Sequence, residues 1–392
     1  MKKLVAFLLT LILTASVLTA CGGSDTASVT EAPTDAKVIT DAMRAELKTE
    51  FEAVFTKRLF EGAAYVVYRG EEVYAGGAGK AIKKEDIPNS PDVVYQIGSV
   101  TKQFTAAAIL RLCEEGKLSL DDTLGKYFPE YEAGRDITLH SLLSMQSGIR
   151  DYLRSYDENG NEVASSSTPY IEGIHDTYTA EQNRAALEKF IFSSELLFAE
   201  GDRYSYSNSN YYLLGRIVEQ ITGMGCHEYI RTNFFEPLGM ETAGFLGDDP
   251  LDGVTLAKGY NGGNATSWFS YTGVAFACGD IIASPKDLYK WTIALHSGRV
   301  LGNEMYQKMT SVHITDAATG TGYGYGLMIQ QNIGAKIVYH GGSIPGFISC
   351  VAYIPQQDYF IALISNYSNE STMTVTNKLT AIFTEKINQT AQ

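Results

Sequence analysis

The chain has 392 residues, 45% of them hydrophobic and 19% charged, with a formal net charge of −14. That is roughly twice the length of one domain, and apolar enough for two cores or one composite core. A surface this acidic repels phosphates, which argues against nucleic acid as a partner.

The first predicted element is a leader. Met1-Lys2-Lys3 precedes an uncharged run from Leu4 to Ala20, short for a bilayer span and basic at its start, so residues 1–20 read as a secretion signal. The tetrad Leu18-Thr19-Ala20-Cys21 resembles the lipobox of bacterial lipoproteins. This implies lipidation of Cys21 and attachment of the protein outside the cytoplasm, on a bacterial cell membrane. Residues 21–40 are small and polar and read as a flexible tether.

Beyond the tether, DAMRAELKTEFEAVFTKRLF has helical spacing, and GAAYVVY (62–68) and EEVYAGG (71–77) form a hairpin across Arg69-Gly70. The stretch from about 100 to 250 is mainly helical. Within it, FTAAAILRLC predicts a helix buried nearly all round and stopped at Gly116, and SNYYLLGRIVEQITG places Leu214, Ile217, Val218 and Ile221 on one stripe ending at Gly223. Residues 154–182 are polar enough for a long loop or insertion. Ser284-Pro285 predicts a helix start, with the serine as N-cap. KIVYH (336–340), FISCVAYI (347–354) and DYFIALIS (358–365) are strands, and TMTVTNKLTAIFTEKI closes the chain as a helix.

These elements predict an α+β fold, an α/β sandwich: a five-stranded antiparallel sheet flanked by N- and C-terminal helices, with a mostly helical domain inserted. The expected divisions are 41–98 with 272–392 for the sheet domain and 99–271 for the helical domain, with the active site at their junction. No C-x-x-C pair, H-E-x-x-H or H-x-H is present, so no metal site and no cofactor is expected. Cys113, Cys226, Cys278 and Cys350 stand apart among apolar or small neighbours and are expected as buried free thiols.

Chemistry enters with YQIGSVTKQF. Ser99 and Lys102 are three apart at the mouth of the apolar helix and so share one face. A serine hydroxyl needs a base to become a nucleophile, and a lysine partly removed from water can be that base because desolvation lowers its pKa. Ser-x-x-Lys alone is weak, but two motifs follow it: Tyr206-Ser207-Asn208, and His340-Gly341-Gly342-Ser343 at a strand end. A Ser-His-Asp hydrolase is excluded as the simpler rival, because no serine here lies in a G-x-S-x-G elbow.

The ordered set S-x-x-K, Y-x-N and H-G-G resembles the penicillin-recognising serine hydrolases, in their class C β-lactamase and D-alanyl-D-alanine carboxypeptidase branch. The likeness runs over roughly residues 45–385 and includes ITLHSLLSMQSGI at 137–149. It implies Ser99 as acylated nucleophile, Lys102 as its proton partner and Tyr206 as a proton shuttle. It implies Asn208 as the amide that bonds the lysine and the substrate, and His340, Gly341, Gly342 and Ser343 as the substrate-binding strand. The backbone N–H groups of Ser99 and Ser343 would be the oxyanion hole. A Tyr206 phenolate would need a neighbouring cation, and Lys102 is the obvious one, so the pair is expected to titrate together.

His340 stands where many relatives have lysine, and it would carry partial charge at neutral pH. Gly341 stands where a threonine would help hold a substrate carboxylate. These departures favour a carboxypeptidase-like or esterase-like hydrolase over a β-lactamase, with a non-catalytic penicillin-binding or cell-wall-sensing surface protein as the contrasting reading. Expected partners are a small-molecule or peptidoglycan-derived substrate, and the membrane through Cys21.

Overall fold

The strand GAAYVVY lacks any charged residue, and the fold buries both of its faces. In the computed structural model the described residues are 39–389, without 158, 160, 161, 166–170, 172, 176, 248–252, 262, 263, 267–272, 333, 334 and 368–371. The signal segment, Cys21 and the tether up to residue 38 lie outside them.

Helix α1 (Asp41–Arg58) starts at Thr40, whose hydroxyl accepts from the Met43 N–H. The hairpin β1 (Gly62–Tyr68) and β2 (Glu71–Ala78) follows. Next come α2 (Lys102–Glu114), the small hairpin β3 (Arg154–Tyr156) and β4 (Glu162–Ser165), and α3 (Asn208–Thr222). Helix α4 (Pro285–His296) has the predicted start, since Ser284 Oγ accepts from the Asp287 N–H and proline occupies the first turn. The chain returns through β5 (Ile314–Thr315), β6 (Gly322–Tyr323), β7 (Met328–Asn332), β8 (Ala335–Ile344), β9 (Phe347–Ile354) and β10 (Tyr359–Ser365) to α5 (Thr372–Gln389).

The large sheet is antiparallel throughout, in the order β5-β6-β7-β8-β9-β10-β1-β2. The five predicted strands are its contiguous part from β8 to β2. Three more extend one edge. The sequence reading missed all three, and for β5 and β6 the reason is their length of two residues each, too few for a period of two to register.

Alternation along β1 divides the molecule into two cores. Ala64, Val66 and Tyr68 join a cluster with Leu47, Phe51 and Phe55 of α1 and Val375, Leu379 and Phe383 of α5. Ala63, Tyr65 and Val67 join the larger cluster with Phe104 of α2, Leu214 of α3 and Trp291 of α4. The terminal helices thus cover one face of the sheet, while α2, α3 and α4 pack on the other, which carries the site. Every residue of α2 from Lys102 to Leu110 is buried, as its composition predicts. Cys226, Cys278 and Cys350 are buried free thiols, and Cys113 is half-buried and also free.

Candidate active site

Ser99 lies in a 3-10 turn, Gly98–Thr101, that runs directly into α2. Residues three apart in such a turn eclipse, and Lys102 Nζ accordingly lies 3.0 Å from Ser99 Oγ. The turn packs onto β8 through glycines. Gly98 has φ +53°, and a Cβ there would stand 3.0 Å from the Ser343 nitrogen. A Cβ on Gly342 would fall 1.9 Å from the Ile97 carbonyl oxygen, so only glycine admits the approach. Ser349 of β9 fastens the same carbonyl with a 2.8 Å hydrogen bond. These contacts bring Ser99 and the H-G-G strand, distant in sequence, to one place.

Lys102 is fully buried and donates to Ser99 Oγ, to Asn208 Oδ1 at 2.8 Å and to the Cys278 carbonyl at 2.9 Å. All three ammonium protons are used. Burial pulls its pKa from 10.5 down to about 8, against the opposing influence of Cys278 and Asp151 and with some help from Arg154. Such an amine can shed a proton near neutral pH and serve as a base.

Tyr206 stays partly open to solvent and lies with its ring centroid 4.9 Å from Lys102 Nζ. Desolvation pushes its phenol well above the ordinary value, although a hydrogen bond with Ser99 pulls the other way. Tyr206 is therefore a protonated phenol at rest. Tyr206 keeps its proton and Lys102 is the more easily deprotonated partner, so the pair can divide the labour, the amine accepting from Ser99 and the phenol donating to a leaving group.

His340 corrects an expectation. Its ring is only 1% exposed, with Nδ1 2.6 Å from the Gly341 carbonyl oxygen and Nε2 3.2 Å from the Tyr323 hydroxyl. Nδ1–H donates to the carbonyl and Nε2 accepts from the phenol, which satisfies a neutral imidazole. Burial first, and Lys102 second, hold its pKa down to about 3. The partial positive charge assigned to it from sequence is absent at neutral pH, and its buried ring does not present a cation to a substrate carboxylate. Along the same strand Ser343 is exposed, Gly341 is partly so and Gly342 is buried.

Behind the lysine lies a group that sequence reasoning missed. Asn208 Nδ2 donates to both oxygens of Asp151, at 3.0 and 3.3 Å. Asp151 is fully buried, takes the Leu153 N–H at 2.9 Å and pairs with Arg154 Nε at 3.3 Å. Burial raises its pKa, opposed by the Leu153 N–H, Arg154, Asn208 and Lys102. Arg154, the first residue of β3, also binds Glu162 on β4, and its guanidinium lies 5.9 Å from the Tyr206 ring centroid. The polar insertion thus reaches the site. Among the described residues no group of three or more His, Cys, Asp or Glu side chains is placed to hold a metal ion.

Residues 41–384 match the Beta-lactamase family. The chain belongs to that family. It is 29% identical to PbpX of Bacillus subtilis, named as a penicillin-binding protein, over 82% of this chain and 74% of that one. It is also 29% identical to a D-aminopeptidase of Brucella canis, over 73% of this chain and 52% of the other, so it spans about half the length of that enzyme. Among solved structures, the octameric penicillin-binding protein homologue from Pyrococcus abyssi superposes with a TM-score of 0.74 at 29% identity, covering 88% of this chain and 78% of that one. The protein is thus a member of the serine hydrolase superfamily with the β-lactamase/transpeptidase-like fold, which agrees with the resemblance read from its motifs.

In this Beta-lactamase family member, Met145 and Gln146 of the SMQSG segment support the site from beneath. Met145 has φ +63°, and its buried sulfur accepts from the Ser207 N–H at 3.4 Å, supporting the Y-S-N turn from beneath. Gln146 donates to Ser144 Oγ at 2.8 Å. The Cys278 carbonyl left no trace in the sequence because any residue type supplies that atom. Asp151 had one available signal, its position two residues beyond the SMQSGI run, but that says nothing of what it touches.

Proposed function

We propose that the protein is an acyl-enzyme serine hydrolase acting on ester, amide or D-aminoacyl peptide bonds whose substrates carry no carboxylate beside the scissile bond. The observation that carries the chemistry is Lys102, fully buried, lowered to about 8 and 3.0 Å from Ser99 Oγ. In the reaction, Lys102 takes the Ser99 proton as Oγ bonds to the substrate carbonyl carbon. The backbone N–H groups of Ser99 and Ser343 would receive the developing oxyanion. When the intermediate collapses, the bond to the leaving group breaks and that group takes a proton from Tyr206. Water then attacks the acyl-enzyme in the reverse sense and frees Ser99.

Two features support the substrate class. His340 is neutral, so the strand position that would hold a substrate carboxylate supplies no charge, and Arg154, the cation beside Tyr206, is already paired with Asp151 and Glu162. The D-aminopeptidase likeness adds D-aminoacyl amides to the esters expected from sequence, and the carboxypeptidase-like alternative, whose terminal D-alanine carries a carboxylate beside the scissile bond, ranks below them. The test compares kcat/KM on p-nitrophenyl butyrate, D-alanine p-nitroanilide, a D-alanyl-D-alanine peptide and nitrocefin, using protein without its first 20 residues. The ester and the anilide are expected to lead. Nitrocefin turnover far above both would reverse the substrate assignment, and undiminished turnover by Ser99→Ala would remove the mechanism.

We also propose that Cys21 is lipidated and holds the enzyme outside a bacterial membrane, within reach of peptidoglycan stems. Two or more acyl chains on one residue suffice for stable anchoring. Cys21→Ser is expected to leave an uncleaved or mislocalised precursor. Fractionation identical to wild type would reject the anchor.

A further inference from the structure

The arrangement behind Lys102 carries a second inference, which rests on Lys102 serving as the base. Asn208 is an amide with a donor end and an acceptor end, and Lys102 as an ammonium can only donate. Catalytic placement therefore depends on which end faces the lysine. Asp151 decides it, because an ionised carboxylate only accepts. With both its oxygens on Asn208 Nδ2, at 3.0 and 3.3 Å, the amide oxygen is left toward Lys102 at 2.8 Å.

A fully buried carboxylate is costly unless it is paired. Arg154 pairs it at 3.3 Å from the strand hairpin of the polar insertion, and Glu162 on the opposite strand holds Arg154 in turn. Arg154 is partly exposed while Asp151 is not, so the charge of the pair faces solvent on one side only.

We propose that Asp151 and Arg154 are a positioning pair for the reaction: Asp151 locks the amide of Asn208 with its oxygen on Lys102, and Arg154 anchors that carboxylate from the insertion. Neither touches the bond being cleaved. The long insertion then acts on activity through Arg154 and not only by overhanging the cleft. The groups that face Lys102 from the packed elements are Ser99 and Tyr206, Tyr211 of α3, Asp151, Arg154, the Cys278 thiol and the imidazole of His340. Of these, Asp151 and Arg154 are joined as an ion pair.

The test is the acid limb of kcat/KM on p-nitrophenyl butyrate in wild type, Asp151→Asn, Arg154→Gln and Arg154→Lys. Loss of the carboxylate removes a stabiliser of the ammonium, so Asp151→Asn moves the limb to lower pH. Its plateau kcat falls with little change in KM, because the amide of Asn208 is free to turn. Loss of the cation moves the limb of Arg154→Gln the other way, while Arg154→Lys, which keeps the charge, retains the wild-type limb. Each movement is roughly 0.5–1 pH unit, a three- to tenfold change in rate at fixed pH on the limb. General damage to the fold would lower rates at every pH without moving the limbs apart. Limbs that stay fixed in both variants, or move in the same direction, overturn the proposal. Should Asp151→Asn fail to fold, the Arg154 pair decides alone, and identical limbs in Arg154→Gln and Arg154→Lys overturn it. An active Ser99→Ala enzyme, or a wild type lacking any acid limb, would instead refute the hydrolase mechanism beneath it.

Discussion

Titration of the wild-type enzyme tests the base directly. Lys102 falls from 10.5 to about 8 because its ammonium is fully buried, which costs the charged form roughly 3 kcal/mol. At pH 7 an ordinary lysine would be neutral in about one molecule in 3,000, whereas a lysine at about 8 is neutral in about one in ten, a gain of roughly 300-fold in competent base. On a neutral ester, log kcat/KM is expected to rise with unit slope from pH 5.5 and level off above about 8. Lys102→Arg, which keeps its charge at every accessible pH, should lose the plateau altogether. Stability follows the same proton. The folded pKa lies below the unfolded one, so the unfolded state binds more protons between about 8 and 10.5, and the folded protein gains up to roughly 3 kcal/mol as pH rises through that window. A rate that is flat from pH 6 to 9, or a limb near the ordinary histidine value, would refute the assignment of Lys102 as base.

His340 makes a separate prediction for stability. Its pKa is about 3 in the folded protein against an ordinary value of 6.5, so its contribution is complete above 6.5 and drains as pH falls, by roughly 2 kcal/mol at pH 5. Urea unfolding at pH 7 and 5 should show this loss in wild type and a smaller one in His340→Gln, and equal losses would contradict it. Gly342→Ala places a Cβ 1.9 Å from the Ile97 carbonyl oxygen, which shifts the Ser99 turn off β8 and is expected to lower kcat/KM about 100-fold. An active alanine variant would show that the close approach is dispensable. Phe51→Ala empties a fully buried site between α1 and the sheet and is expected to cost roughly 3–5 kcal/mol in urea unfolding. With the site on the opposite face of the sheet, kcat/KM of the folded fraction should be unchanged, and a large drop there would contradict the two-core division.

Much of the fold was legible because its signals are local. The strand FISCVAYI coincides with β9 from Phe347 to Ile354. Ser284 occupies the capping position read for it and Pro285 the first position of α4, since a cap is a hydrogen bond within three residues. Ser99 and Lys102 were legible for the same reason: they are three apart, and one turn brings them together. Strands β5 and β6 were not, because pairing holds them and their two residues carry no period.

The protonation states were the least legible part. Sequence put partial charge on His340 and expected Tyr206 to titrate together with Lys102, reasoning from residue type and an expected neighbour. The fold removed the charge from His340 and keeps the Tyr206 phenol protonated, because burial is the largest influence on each. Asp151, Arg154 and the Cys278 carbonyl entered the site the same way, from segments with no shared motif. Residue order was enough to name the nucleophile, its lysine and the family, because these follow from spacing within a turn and from the order of three motifs. Which groups hold protons, and which carboxylate orients Asn208, depends on desolvation and on contacts between distant segments, and those exist only once the chain has packed.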